Sequence, residues 1–220
     1  MKKEKSCSFS LFPRWKDVSA NLGILVAFTS AFALAGETAI SMIAAGMPAE
    51  CAEYAANVSS SEGNFNSVSP VVNGVRCYGA FQFCNSGTLQ SYWGGSPEGF
   101  LSSPSSQVNA WLRLQKSEWS AAQRLGMSGL VGKQVCHNGT CANITQSSLL
   151  KACQFGCQGK SSKLYQLMAS GLDCNAPGTK DGAGTSVCKY LVSGTGYNVS
   201  CITNTNDGID CTWVAGTKSE

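Results

Sequence analysis

The chain has 220 residues, 43% of them hydrophobic and 13% charged, which is enough to bury a core in one main domain with extensions. Its formal charge of +3 comes from the first 35 residues, where Lys2, Lys3, Lys5, Arg14 and Lys16 face only Glu4 and Asp17; the remainder holds eleven basic and eleven acidic residues. A neutral body without a basic run excludes nucleic acid as a partner, because that affinity rests on clustered cations neutralising phosphates.

In chain order, the basic start leads into Leu22 to Ala35, an uncharged and largely apolar run ending in Ala33-Leu34-Ala35. This three-part layout is that of an export signal and predicts cleavage after Ala35. The run is shorter than the roughly 20 residues of a bilayer-spanning helix. A membrane therefore enters only if the segment is retained as an anchor, lengthened by Ile40 to Met47. The expected organisation is a signal peptide or N-terminal anchor over 1–35, the main domain over 36–195, and a disulfide-stapled tail over 196–220.

Twelve cysteines with one histidine and no Cys-x-x-Cys pair favour a disulfide framework over a zinc module, so neither metal nor cofactor is expected. Cys153 and Cys157 are one helical turn apart but have no His or acid nearby in sequence. Cys7 falls in the leader and leaves eleven, so at least one is free or pairs between chains. Two local pairs are expected. Cys136 and Cys141 bracket Asn138-Gly139, a dipeptide that supplies the positive φ angles of a two-residue hairpin turn. Cys201 and Cys211 flank the turn-rich stretch from Asn204 to Gly208.

Between Ser41 and Val58, apolar residues at Ile43, Met47, Cys51, Tyr54 and Val58 predict a buried helix that ends near Ser59-Ser60-Ser61, where hydroxyls compete for backbone hydrogen bonds. Val68 to Tyr78, with Asn73-Gly74, predicts a short hairpin. A helix is expected near Ser86 to Leu89, then a loop from Gly94 to Gly99. A longer helix from Ser105 to Gly126 carries Trp111 and Trp119 in its core-facing positions. Thr145 is a good N-cap for a helix reaching Cys153, and Leu164 to Ala169 makes another short one. The fold class is α+β, mainly α, with several helices, a small β-hairpin and many disulfides.

One passage carries chemistry. Ser61-Glu62-Gly63-Asn64-Phe65-Asn66 is followed by Gly79-Ala80-Phe81-Gln82-Phe83, and Glu62 is the only Asp or Glu between Tyr54 and Pro97. Breaking a glycosidic bond needs an acid still protonated near neutral pH, which an apolar setting provides by disfavouring the carboxylate. Phe65, Tyr78, Phe81 and Phe83 are candidates for that setting. Phe81 and Phe83, two apart, would face opposite ways on a strand, one into the core and one onto a cleft wall. Gln82 offers a donor and an acceptor to a sugar. With no second carboxylate nearby, a single-acid route is favoured over the two-carboxylate schemes.

The segment from Ser59 to Thr88 resembles the core motif of the lytic transglycosylase and lysozyme-like superfamily. There a Glu-Ser-x-x-Asn or Ser-Glu-Gly element precedes Gly, then Ala or Lys, then Phe or Tyr, then Gln, then Phe or Met. Ile144 to Cys153 and Asp181 to Leu191 are similar to later helical elements of its bacterial members. The resemblance implies a lysozyme-like fold for residues 36–195 and a location in the bacterial periplasm or cell envelope. It implies peptidoglycan glycan strands as substrate, cut between N-acetylmuramic acid and N-acetylglucosamine with a 1,6-anhydro product. It also implies service to an envelope-spanning secretion or conjugation apparatus. Glu62 would be the catalytic acid and base, with Ser60, Asn64, Tyr78, Gln82 and Phe83 as substrate contacts.

Two registers compete. Anchoring Glu-Ser-x-x-Asn on Asn64 puts Ser60 in the acid's place, and Glu62, two residues on, would be rotated by about 200° on a continuing helix. That register implies a non-catalytic wall-binding or scaffold component. Ser-Glu-Gly, as in phage lambda-type endolysins, puts Glu62 in the acid's place and implies an enzyme.

Overall fold

The computed structural model describes residues 36–180 and 184–204. The expected signal segment, residues 181–183, and the chain beyond 204, with Cys7 and Cys211, lie outside the described residues. Helices α1 (Ala39–Ala44) and α2 (Ala49–Glu62) divide what the pattern reads as one helix. The division falls at Gly46 to Pro48, where Pro48 cannot donate a backbone hydrogen bond and instead opens α2 at its N-cap.

Helix α2 ends one residue beyond the three serines, close to the expected place. Ser59, Ser60 and Ser61 turn their hydroxyls back to donate to the carbonyls of Ala56, Asn57 and Val58, so the competition for backbone groups is resolved inside the helix. The helix runs on to Glu62 and closes at Gly63, whose N–H donates to the Ser59 carbonyl.

Strands β1 (Cys77–Tyr78) and β2 (Phe83–Cys84) pair antiparallel, with Tyr78 opposite Phe83. Ahead of them the chain folds at Asn73-Gly74, where Val72 and Val75 bridge, and Val68 bridges Tyr78. After α3 (Thr88–Tyr92), the expected Gly-rich loop contains one helical turn, α4 (Pro97–Leu101), capped by the Ser96 side chain with Pro97 in its first turn. The longest helix, α5 (Pro104–Arg124), buries Val108, Trp111, Trp119 and Ala122 along one face. Trp111 stacks on Phe81 at 4.4 Å between ring centroids and lies 5.6 Å from Tyr54 of α2.

A second antiparallel hairpin, β3 (Gln134–His137) with β4 (Thr140–Asn143), sets Cys136 directly opposite Cys141. Next come α6 (Gln146–Ala152), α7 (Lys163–Ala169), α8 (Val187–Ser193) and α9 (Ser200–Thr203). Thr145 caps α6 through a reciprocal capping box with Ser148, as its position predicts.

The chain is thus mainly helical, with two small antiparallel hairpins among the described residues. No helix among them is long and apolar enough to cross a membrane. All ten cysteines of the described residues are paired: Cys51–Cys201, Cys77–Cys84, Cys136–Cys141, Cys153–Cys157 and Cys174–Cys188. Such usage belongs to an oxidising, extracytoplasmic environment.

The pairing expected at Cys136 and Cys141 is present. Cys201, by contrast, bonds to Cys51 rather than to Cys211. Val199 and Ile202 are buried beside it, and α9 packs against α2 and α5, which carries Cys201 to the start of α2. Residues 196–204 therefore belong to the helical body and are not a separate tail.

Candidate active site

The end of α2 forms one wall of a cleft of about 300 Å³ lined by Ser60 to Gly63, by Ser67 to Pro70, and by Gln82. Three local features bring these segments together. Gly63 has a φ of 156°, and a Cβ there would stand 2.6 Å from the Ser67 hydroxyl and 3.4 Å from the Gln82 amide nitrogen. Glycine is needed at this position for the two walls to meet.

The second feature is Glu37, whose carboxylate accepts the Phe65 N–H at 2.9 Å and the Ser41 hydroxyl at 2.7 Å. It clamps the chain before α1 to the chain after α2 and does not line the cleft. The third is Gln107 of α5, fully buried. Its amide donates to the carbonyls of Phe65 and Phe100 and accepts the Ala80 N–H, so one side chain sets both the segment after Glu62 and the segment before Gln82. Nothing in the helical pattern singles Gln107 out.

Both Glu62 and Ser60 line the cleft. A rotation of about 200° separates them on a helix viewed from the side, but this cleft wraps the helix end, so successive residues of the last turn all reach it. Helix rotation therefore does not separate Ser60 from Glu62 at this cleft. Gln82 also reaches the cleft; its amide nitrogen donates to the Gly79 carbonyl at 3.0 Å.

The other expected contacts lie elsewhere. Phe83 is 1% exposed and packs in the core with Phe100 at 5.3 Å, so its ring is not on the cleft wall. Phe81 is buried too. The expected alternation between them fails because Gln82 adopts a φ of 49°, which breaks the strand and turns both rings inward and the intervening amide outward. Tyr78 is half-buried against the core. Asn64 turns its side-chain oxygen to the Asn66 N–H and the Ser67 hydroxyl, bracing the turn at 64–67 rather than the cleft.

Burial raises the pKa of Glu62 above the usual carboxylate value, and the positive charge of Lys151 partly offsets this. Lys151, on α6, is itself 5% exposed and donates to the Asn57 side-chain oxygen of α2 at 2.6 Å. Burial lowers its pKa, the charge of Glu62 acts the other way, and Lys189 lowers it further. Ninety-four residues separate Lys151 from Asn57, and no local signal in the sequence links them.

Three groups of metal-ligand type also come together among the described residues. The buried carboxylate of Glu118 lies beside Cys153 and Cys157 and accepts the Cys157 N–H. The two sulfurs are bonded to each other, so neither is a thiolate available as a ligand.

No protein-family model, no curated protein and no solved structure matches this chain. The cleft itself holds one carboxyl whose pKa burial raises, one amide and several hydroxyls, with the buried Lys151 acting on the carboxyl through its charge.

Proposed function

We propose that the protein is an exported, lysozyme-like lytic transglycosylase that cleaves peptidoglycan glycan strands, with Glu62 as acid and then base. The observation that carries this reading is a lone carboxyl at the end of a helix, lining a cleft opposite a glutamine amide and held by burial in favour of its protonated form.

In the proposed step, Glu62 gives its proton to the glycosidic oxygen as the bond from that oxygen to the muramic acid C1 breaks, releasing an N-acetylglucosamine hydroxyl. The muramic acid's own C6 hydroxyl then bonds to C1 and returns its proton to the Glu62 carboxylate. The products are a 1,6-anhydro end and a regenerated acid, with no water consumed and no second carboxylate required. Gln82 would hold an acetamido or hydroxyl group of the sugar. Disulfide use supports action outside the cytoplasm, and an envelope-spanning secretion or conjugation apparatus is the partner we assign.

Ser60 supports a second reading. It lines the same cleft and stands where one register of the motif has its acid. On that reading the protein is a wall-binding scaffold without turnover.

One experiment separates the two. Purified sacculi are incubated with the wild type and with Glu62→Gln, and released muropeptides are analysed by mass spectrometry alongside sacculus pull-down. The enzyme reading expects release by the wild type with anhydro ends. It also expects a loss of about 10²-fold or more in Glu62→Gln, the scale of general acid–base catalysis, with binding kept. No release by either protein would establish the scaffold. Products lacking the anhydro ring would make the protein a hydrolytic muramidase.

A further inference from the structure

Lysine is among the residues least often buried, and a buried ammonium costs stability unless it is paired. Lys151 is 5% exposed, and the fold is shaped around it. At the C-terminal end of α8, Gly194 has an ordinary φ of −95°, which any residue can adopt. A Cβ at Gly194 would nevertheless stand 2.7 Å from Cβ and 3.1 Å from Cδ of Lys151. The missing side chain is space for the lysine stem.

Its head is held as specifically as its stem. Nζ donates to Asn57 Oδ1 at 2.6 Å, and Asn57 lies on the same helix as Glu62, five residues earlier. The amide satisfies a hydrogen bond of the ammonium but carries no charge to neutralise it. Of the charged groups acting on this cation, Glu62 of α2 is the opposite one and Lys189 of α8 a like one. Three elements, α2, α6 and α8, thus converge to fix one positive charge against α2 at Asn57.

We propose that Lys151 is a positioning residue for Glu62: locked between Asn57 and Gly194, its ammonium steadies the Glu62 carboxylate in the interval between giving a proton to the leaving oxygen and taking one back. This rests on the reading of Glu62 as the acid and base. The charge of Lys151 works against the burial that raises the Glu62 pKa. The proton released to the leaving group must come from Glu62, and an opposite charge nearby lets the resulting anion exist in a half-buried site.

The test reads Glu62 directly. The side-chain carboxyl is titrated by carbon-13 NMR in the wild type, Lys151→Met and Lys151→Arg, with the signal assigned by its loss in Glu62→Gln. The titration midpoint is expected to move up in Lys151→Met and to return towards wild type in Lys151→Arg. The alkaline limb of the pH profile for muropeptide release should move up with it. A merely structural lysine would change the amount of folded protein but neither the midpoint nor the limb.

Should Lys151→Met not fold, the reciprocal measurement keeps the wild-type lysine. In Glu62→Gln the Lys151 ammonium must titrate at lower pH than in the wild type, because coupling between two sites is mutual. Midpoints unchanged within replicate error, for Glu62 in a folded Lys151 variant or for Lys151 in Glu62→Gln, overturn the proposal and leave the acid reading untouched. Undiminished muropeptide release by Glu62→Gln would instead sink the functional reading, while the midpoints still report whether Lys151 acts on Glu62.

Discussion

Asn73-Gly74 and Asn138-Gly139 turn their hairpins with nearly the same backbone angles, φ of 51° and 76° in the first and 48° and 81° in the second, yet the strands that follow share little. β3 and β4 keep register over four residues each, with Cys136 facing Cys141. The Asn73-Gly74 turn carries only isolated bridges, and β1, which leaves it, pairs with β2 over two residues around a second turn, where the backbone crosses into positive φ at Gln82. A regular ladder pairs its backbone groups and offers little else. The irregular one gives up pairing and in return turns two phenylalanines inward and one amide out to a cleft, where a ladder of period two would have sent neighbours to opposite faces.

That contrast can be broken first in the core beneath each hairpin. Phe83 sits under the first and Val135 under the second, both buried. Phe83→Ala should cost about 3–5 kcal/mol in urea unfolding, since it removes a large ring from a packed aromatic cluster. Val135→Ala loses less apolar volume, and the upper bound is about 3 kcal/mol. Equal losses would mean that the irregular hairpin is anchored no more firmly than the regular one, and that inward rotation of Phe83 does not hold the cleft in place.

Next in size are the two staples. Cys77–Cys84 and Cys136–Cys141 close loops of similar length, with sequence separations of 7 and 5. The chain-entropy account gives each roughly 2 kcal/mol. Replacing either pair by serine should therefore lower the unfolding free energy by similar amounts. Only the first replacement should slow muropeptide release by folded protein, because Cys84 and Cys77 bracket the segment that presents Gln82. If the second pair proved as important for release, the division between a supporting hairpin and a working one would fall.

The same local physics decides what could be read before folding and what could not. Cys136 and Cys141 were legible because a two-residue turn dictates the register of its flanks. Glu62 and Gln82 were legible as a pair because twenty residues of one chain segment carry them both. The misreadings trace to interactions with no periodic signature. One positive φ at Gln82 reverses the side on which Phe83 falls. Cys51 finds Cys201 across 150 residues, and Lys151 finds Asn57 across 94. Such pairings follow from how helices pack rather than from any local pattern, and they include the cation nearest in effect to the candidate acid.

The smallest expected effect is the most particular to the cleft, because it depends on pH. Burial raises the folded-state pKa of Glu62 above its unfolded value, with Lys151 offsetting only part of the rise. A carboxyl shifted this way binds its proton more tightly in the folded protein. The stability it contributes is present below the unfolded value, near pH 4.5, and is lost as pH rises through the folded value. Glu62→Gln cannot undergo that loss. Its melting temperature should match wild type in acid, rise above it through the window between the two values, and stay above it beyond that window. Variants in the second hairpin should instead run parallel to wild type across the same range. A Glu62→Gln curve that also stays parallel would mean the carboxyl is solvated in the folded protein. It would then lack the retained proton on which glycosidic cleavage by a single acid depends.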